Sequence, residues 1–264
     1  MTREYADGKM LASIEGGIGT IIFNQPEKRN AMSVGMWGGL EQILTDFEPN
    51  GDVRVIVMTG AGDKAFVSGA DISQFESQRA SGNAQLEYDR LTSAGRARLA
   101  AFPKPVIAAI RGFCLGGGLG IAMQADIRIA ATGSAYGIPA AKLGIAYGYD
   151  MIDRLVSLVG QAHARVLLFG GERIDAEEAQ RIGLINKCVP ADTLDAEVGK
   201  LAASIAGNAP LSVLTMKRGV NEAIKPNGDR AMIEAAVAAC FDSADYKEGR
   251  TAFMEKRKPV WKGC

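Results

Sequence analysis

Short runs of β-branched and apolar residues recur along the first half of the chain, each long enough for one strand and each followed by a turn or a helical stretch. MLASIE (10–15) and GTIIFN (19–24) flank Gly16-Gly17 and predict a hairpin, while RVIVMTG (54–60), VIAAIRG (106–112) and DIRIAAT (126–132) predict buried strands. Between them, apolar spacing predicts a helix over 33–47, opened by Ser33 as cap, and another over 88–101, ended by Phe102-Pro103. From about Tyr149 the pattern is almost wholly helical: 151–159, a short helix opened by Asp175, then 194–206, 211–223 and 230–241. The expected architecture is an α/β core followed by a helical tail. Several tail helices carry Ala and Leu on more than one side, which calls for cover from the parent core or from another subunit.

The length of 264 residues suits one sizeable domain with a short appendage. Lys plus Arg number 30 and Asp plus Glu number 30, so net charge is zero, and no block of like charge points to nucleic acid or a membrane surface. A small-molecule partner is expected instead. Cys114, Cys188, Cys240 and Cys264 lie far apart, without the paired spacing of a zinc site or a disulfide scaffold, and read as reduced thiols. With a polar start, MTREYADGKM, and no apolar run near the roughly 20 residues that span a bilayer, a cytoplasmic protein is expected.

Three segments carry unusual backbone chemistry. Lys64-Ala-Phe-Val-Ser-Gly-Ala-Asp-Ile (64–72) ends a strand in small residues that allow close approach of a ligand to the main chain. Gly112-Phe-Cys-Leu-Gly-Gly-Gly-Leu-Gly (112–120) places Gly116, Gly117 and Gly118 before a helix over 119–125, whose free N–H groups suit an oxyanion. Alone, such a triplet is equally a tight turn, and it matches neither dinucleotide nor phosphate-loop spacing. Tyr136–Asp150 combines a Pro-directed turn, further glycines and tyrosines, and otherwise reads as a glycine-rich surface loop.

Taken in order, these segments resemble the crotonase (enoyl-CoA hydratase/isomerase) superfamily. The likeness runs through Asn24-Gln-Pro-Glu-Lys-Arg-Asn-Ala-Met-Ser, Ala65-Phe-Val-Ser-Gly-Ala-Asp-Ile, Pro105-Val-Ile-Ala-Ala-Ile-Arg-Gly-Phe-Cys-Leu-Gly-Gly-Gly and Phe253-Met-Glu-Lys-Arg-Lys-Pro, which cover nearly the whole chain. It implies a ClpP-like α/β spiral of ββα units over 1–200 and a helical trimerisation region over 201–264, assembled as a homotrimer or a hexamer of two trimers. It also implies acyl-CoA substrates, with coenzyme A entering as part of the substrate and no separate cofactor or metal. By the family pattern the Ala70 and Gly117 N–H groups form an oxyanion hole. Arg29, Ala31, Ser68, Asp71, Ile72 and Gly116 line the path of the substrate, and Phe253 and Lys256 match coenzyme A contacts often supplied by a neighbouring subunit. The chemistry agrees, because α-proton abstraction, decarboxylation and β-addition all drive negative charge onto the thioester oxygen.

The chain departs from the family's hydratases at the two glutamates that move protons, whose positions are held by Gly120 and Ala140. Tyr147, three residues after Gly144, and the ending Asp245-Tyr-Lys-Glu-Gly resemble the methylmalonyl-CoA decarboxylase branch, although that branch carries His where Ala70 stands. A lyase-type step that needs no strong base is therefore expected first. The alternatives are a hydratase or isomerase with a relocated acid such as Asp150, and a non-catalytic acyl-CoA-binding oligomer. Tyr147 would orient or donate a hydrogen bond, or simply pack in its loop. Asp150 is weighed against a capping role for the helix over 151–159. Glu76 reads as a solvated helix residue, Asp126 as structural, and His163, the single histidine, as packed or exposed, with no partner for a metal.

Overall fold

The computed structural model describes residues 1–71 and 82–264. β1 (Arg3–Tyr5), β2 (Met10–Glu15) and β3 (Ile18–Phe23) form an antiparallel meander, with Gly16 and Gly17 both at positive φ in the predicted hairpin turn. The sheet continues in parallel through β4 (Val55–Gly60), β6 (Val106–Ile110), β8 (Ile127–Ala131) and β11 (Lys187–Val189), giving the order β1-β2-β3-β4-β6-β8-β11. A smaller sheet stacks β5 (Ala65–Val67), β7 (Phe113–Leu115) and β9 (Ala135–Gly137) in parallel and closes with antiparallel β10 (Arg173–Asp175). From β4 to β9 each turn of the chain lays one strand in the large sheet, one in the small sheet and then a helix, which is the expected ββα spiral.

Burial explains the strand compositions. Along β4, Val55 and Val57 face one cluster and Ile56 and Met58 face the other, the two-residue alternation of a strand covered on both sides. α1 (Val34–Phe47) and α2 (Gly82–Ala100) belong to the main-core side, where α1 buries Trp37, Leu40, Ile43 and Leu44. α6 (Leu194–Ala206) covers the opposite face through Leu194, Val198 and Ala202. The Ser33 cap is present, its Oγ accepting from Met36 N at 3.3 Å.

The remaining helices are α3 (Gly117–Ala122), α4 (Tyr149–Gly170), α5 (Ala176–Arg181, capped by Asp175), α7 (Pro210–Ala223), α8 (Arg230–Asp242) and α9 (Ala244–Glu255). Three differ from the sequence expectation. α3 starts two residues early, because Gly116 at φ +51 lets the chain turn directly into it. α4 is broken at Gly160 (φ +69, ψ 163) and resumes over 161–170, well beyond the expected end. α9 was not anticipated, although its cap Ser243 accepts from Tyr246 N at 3.0 Å. No residue of α7 or α8 is fully buried, so the parent core gives their apolar faces only partial cover.

Candidate functional site

The backbone half of the site is built where β5 and β7 end side by side. Met32 N donates to Gly69 O at 2.8 Å and Asp71 N donates to Met32 O at 2.9 Å, so Met32 forms a one-residue parallel bridge with Ala70. In such a bridge the N–H of the central residue faces away from the partner strand. The Ala70 N–H therefore points to the other side, where Gly117 opens α3. As first helical residue, Gly117 has no acceptor one turn back. A methyl group built on Gly117 would lie 3.9 Å from Ala70 N, which places the two peptide groups next to each other. Among the described residues neither N–H is bonded to a protein acceptor.

Glycine is required for this closeness. A Cβ on Gly118 would fall 2.0 Å from Val67 O, and Gly116 N is fastened to Gly137 O at 2.9 Å. α3 is thus pressed against the end of β5 by backbone alone.

The side-chain half comes from α2 and the segment leading into α4. A Cβ on Gly120 would meet Met151 Cε at 2.5 Å and Arg96 Cδ at 3.6 Å, so these two side chains fill the space that a larger residue at 120 would enter. Ala140 is buried in the short 3-10 turn Pro139–Leu143. The Tyr147 hydroxyl lies 3.7 Å from a Cβ built on Gly116, is fully covered, and has no hydrogen-bond partner among the described residues. Burial pushes the Tyr147 pKa well up, opposed by the nearby Arg96 charge, so the phenol stays a donor.

Asp150 does not cap α4. Gly148 occupies the cap position, and Asp150 sits in the first helical turn, its Oδ2 accepting from Arg96 Nη2 at 3.2 Å. A carboxylate there also suits the positive end of the helix. Arg96 escaped the sequence reading, although a signal existed: Thr92, Arg96 and Leu99 follow the i, i+4, i+7 pattern of a buried stripe, and Arg96 is its one charge.

The segments over 28–31 and 68–71 come together. Ser68 N donates to Arg29 O at 3.1 Å, Ser68 Oγ donates to Lys28 O at 3.4 Å, and Lys28 pairs with Asp71 at 2.8 Å. Arg29, at φ +53, lies over the Phe113 ring at 5.2 Å from its centroid, and Arg173 lies over the same ring at 5.1 Å. Ala31 is buried beside Asn30, whose amide donates to Ala65 O at 2.7 Å and so anchors β5. Ile72 and Glu76 lie outside the described residues.

Phe253 and Lys256 are not brought to these groups within one chain: they close α9, which packs on α8, and Phe253 is 83% exposed. Asp126 accepts from Val106 N and from Lys217 Nζ, both at 2.7 Å, a structural tie. His163 is half-buried on the second part of α4. Among the described residues no group of three or more His, Cys, Asp or Glu side chains could hold a metal, and no helix is long and apolar enough to cross a membrane.

The spiral of ββα units with two converging, unbonded peptide donors is the arrangement of a crotonase. A sequence profile of the enoyl-CoA hydratase/isomerase family matches residues 13–264. The short-chain-enoyl-CoA hydratase of Clostridium acetobutylicum is 37% identical over 249 residues, covering 92% of this chain and 94% of that protein. The crotonyl-CoA hydratase of Syntrophomonas wolfei is 40% identical over 246 residues, with the same coverage of 92% and 94%. Among solved structures, an enoyl-CoA hydratase/carnithine racemase from Magnetospirillum magneticum superposes with a TM-score of 0.91 at 35% identity, over 97% of this chain and 96% of that one. The chain belongs to the enoyl-CoA hydratase/isomerase family and is an enzyme of that class. The sequence expectation of a lyase-type step gains no support from these relatives, whose names favour the hydratase or isomerase alternative.

Proposed function

We propose that this enzyme binds an acyl-CoA and carries out a hydratase- or isomerase-type proton transfer, with the thioester oxygen held by the Ala70 and Gly117 N–H groups. The observation that carries this reading is the pair of adjacent, unbonded peptide donors beside a buried phenol and a carboxylate. Negative charge that develops on the thioester oxygen meets two preoriented dipoles, and no reorganisation is needed as it forms. Gly120 and Ala140 cannot transfer a proton, so Asp150 takes that role, oriented by Arg96, while Tyr147 donates a hydrogen bond to the acyl portion. Arg29, Ala31, Ser68, Asp71, Ile72 and Gly116 line the coenzyme A path, and no cofactor is needed beyond the coenzyme A that the substrate carries.

The same proposal makes the segment over 201–264 an assembly region, joined to a spiral core over 1–200. An apolar groove of about 570 Å³, lined by Met216, Val237, Phe241, Tyr246, Phe253 and Trp261, supports a homotrimer or a hexamer of two trimers, in which Phe253 and Lys256 reach a neighbour's coenzyme A. The four unpaired thiols are consistent with the cytoplasm.

The test is exchange of the α protons of butyryl-CoA in deuterated water, together with hydration of crotonyl-CoA. Asp150→Ala is expected to slow both by roughly 10²–10³-fold, within the range for a placed acid–base group. Rates that survive Asp150→Ala unchanged would remove Asp150 from the mechanism.

A further inference from the structure

We infer that Arg154 is a positioning residue: gripping the carbonyls at the C-terminal end of α3 from its place on α4, it sets the Gly117 N–H in register with Asp150. This rests on the acyl-CoA reading above and adds to it the residue that joins the oxyanion donor to the proton-transfer group.

α3 spans only Gly117–Ala122, too short a helix to hold itself in water. The N–H that opens it is unbonded among the described residues, so α3 is located by its sides and its far end. At that end Arg154 Nε donates to Met123 O at 2.7 Å, and Arg154 Nη2 donates to Ala125 O at 3.5 Å. Arg128, 3% exposed on β8, donates to the same Ala125 O from Nη1 at 2.5 Å. Burial and the neighbouring Arg154 charge pull the Arg128 pKa down to about 10. Two guanidiniums that repel each other are held together here because the carbonyls ending a helix carry partial negative charge.

Of the two, Arg154 alone sits on the helix that carries Asp150. Asp150, Met151 and Arg154 share one face of α4, at the three- and four-residue spacing of helical neighbours. Met151 stands over the middle of α3 at Gly120, and Arg154 holds the end. The Met151 contact is apolar and adaptable, whereas the Arg154 hydrogen bonds are charge-assisted and directional, so Arg154 fixes how far α3 is advanced along α4. About 9 Å of helix separates Met123 from Gly117, and a shift at the gripped end is carried along it to the donor. Misplacement of a reacting contact by about 1 Å can cost about 100-fold in rate.

The test compares two ligands that load the oxyanion contact differently. Butyryl-CoA brings a neutral thioester, and acetoacetyl-CoA is expected to bind as its enolate, followed by the near-ultraviolet absorbance of that anion. Arg154→Met should weaken enolate binding about tenfold or more, part of the worth of one oxyanion donor, while the Kd of butyryl-CoA stays within about twofold. The kcat of α-proton exchange should fall by a similar factor at unchanged KM. Arg154→Lys keeps the charge and one donor and should lose only about threefold in enolate affinity, the comparison that stands if Arg154→Met does not fold. A merely structural role would lower the amount of folded protein and leave the ratio of the two Kd values where it was. Equal changes for both ligands, an enolate affinity untouched by either variant, or unfolding of both variants would overturn the inference and leave the acyl-CoA reading intact. Wild-type protein that binds neither ligand, or binds acetoacetyl-CoA without the enolate band, would overturn that reading and this inference with it.

Discussion

The two halves of the site are made of different material. Ala70 and Gly117 contribute peptide groups, fixed by the Met32 bridge and by the contact of Gly118 with Val67, and they would treat every thioester alike. Arg96, Tyr147, Asp150 and Met151 contribute side chains, and in the proposed reaction these lie nearest the acyl carbons. The backbone half admits no side chain at Gly118, where a Cβ would fall 2.0 Å from Val67 O. The side-chain half can be exchanged one residue at a time, so one scaffold can host several reactions on the same class of thioester.

The largest effect is expected from an attack on the backbone half. Gly118→Ala sets a methyl group 2.0 Å from Val67 O, so α3 must move off β5 and take the Gly117 N–H with it. Turnover of every accepted thioester should fall by roughly 10²–10³-fold, the loss typical of one oxyanion donor. A steady-state comparison of two substrates checks this, and unequal losses would break the distinction drawn between the halves.

A change that removes no side chain of either half provides the stability control. Asp126→Ala leaves Lys217, whose side chain is 8% exposed, without its carboxylate and should cost about 3 kcal/mol of unfolding free energy by urea titration. The preference among acyl groups should stay as it was.

Exchange of the side-chain half is expected to alter the reaction. Gly120→Glu alone collides with Met151, whereas Gly120→Glu with Met151→Ala and Ala140→Glu opens the space and supplies two carboxylates. Crotonyl-CoA hydration should rise about tenfold or more, a fraction of the gain available to a well-placed acid–base pair.

The smallest effect concerns pH. Burial raises Cys114 above 9.0 and Tyr136 and Tyr147 above 10.0, so the unfolded chain releases these protons before the native one does. Native stability is therefore unaffected by them below about pH 9 and declines as pH climbs further. Melting curves across that interval check the sign, and Tyr147→Phe should soften the decline.

The difference between the halves also explains what could be read from the residues. Glycine runs, small residues after a strand and strand-length apolar stretches are local features, and they sufficed for the alternation of strands and helices and for the Ser33 and Asp175 caps. Arg96 meets Asp150 across 54 positions of chain and could be found only once α2 and α4 were packed together. Asp150 was weighed as a cap because Asp commonly opens helices; Gly148 took that place, and the guanidinium took the carboxylate. The uncovered faces of α7 and α8 were visible as excess Ala and Leu, but burial on the parent core and burial on a neighbour have the same composition.

The ion pair from Lys217 on α7 to Asp126 ends at Val106, the first residue of β6, which runs through Gly112 into β7 and Gly117. Any neighbour that grips α7 therefore also steadies the near end of the strand whose far end delivers the Gly117 donor. Whatever holds that helix in place is thereby tied along the main chain to the peptide group of Gly117.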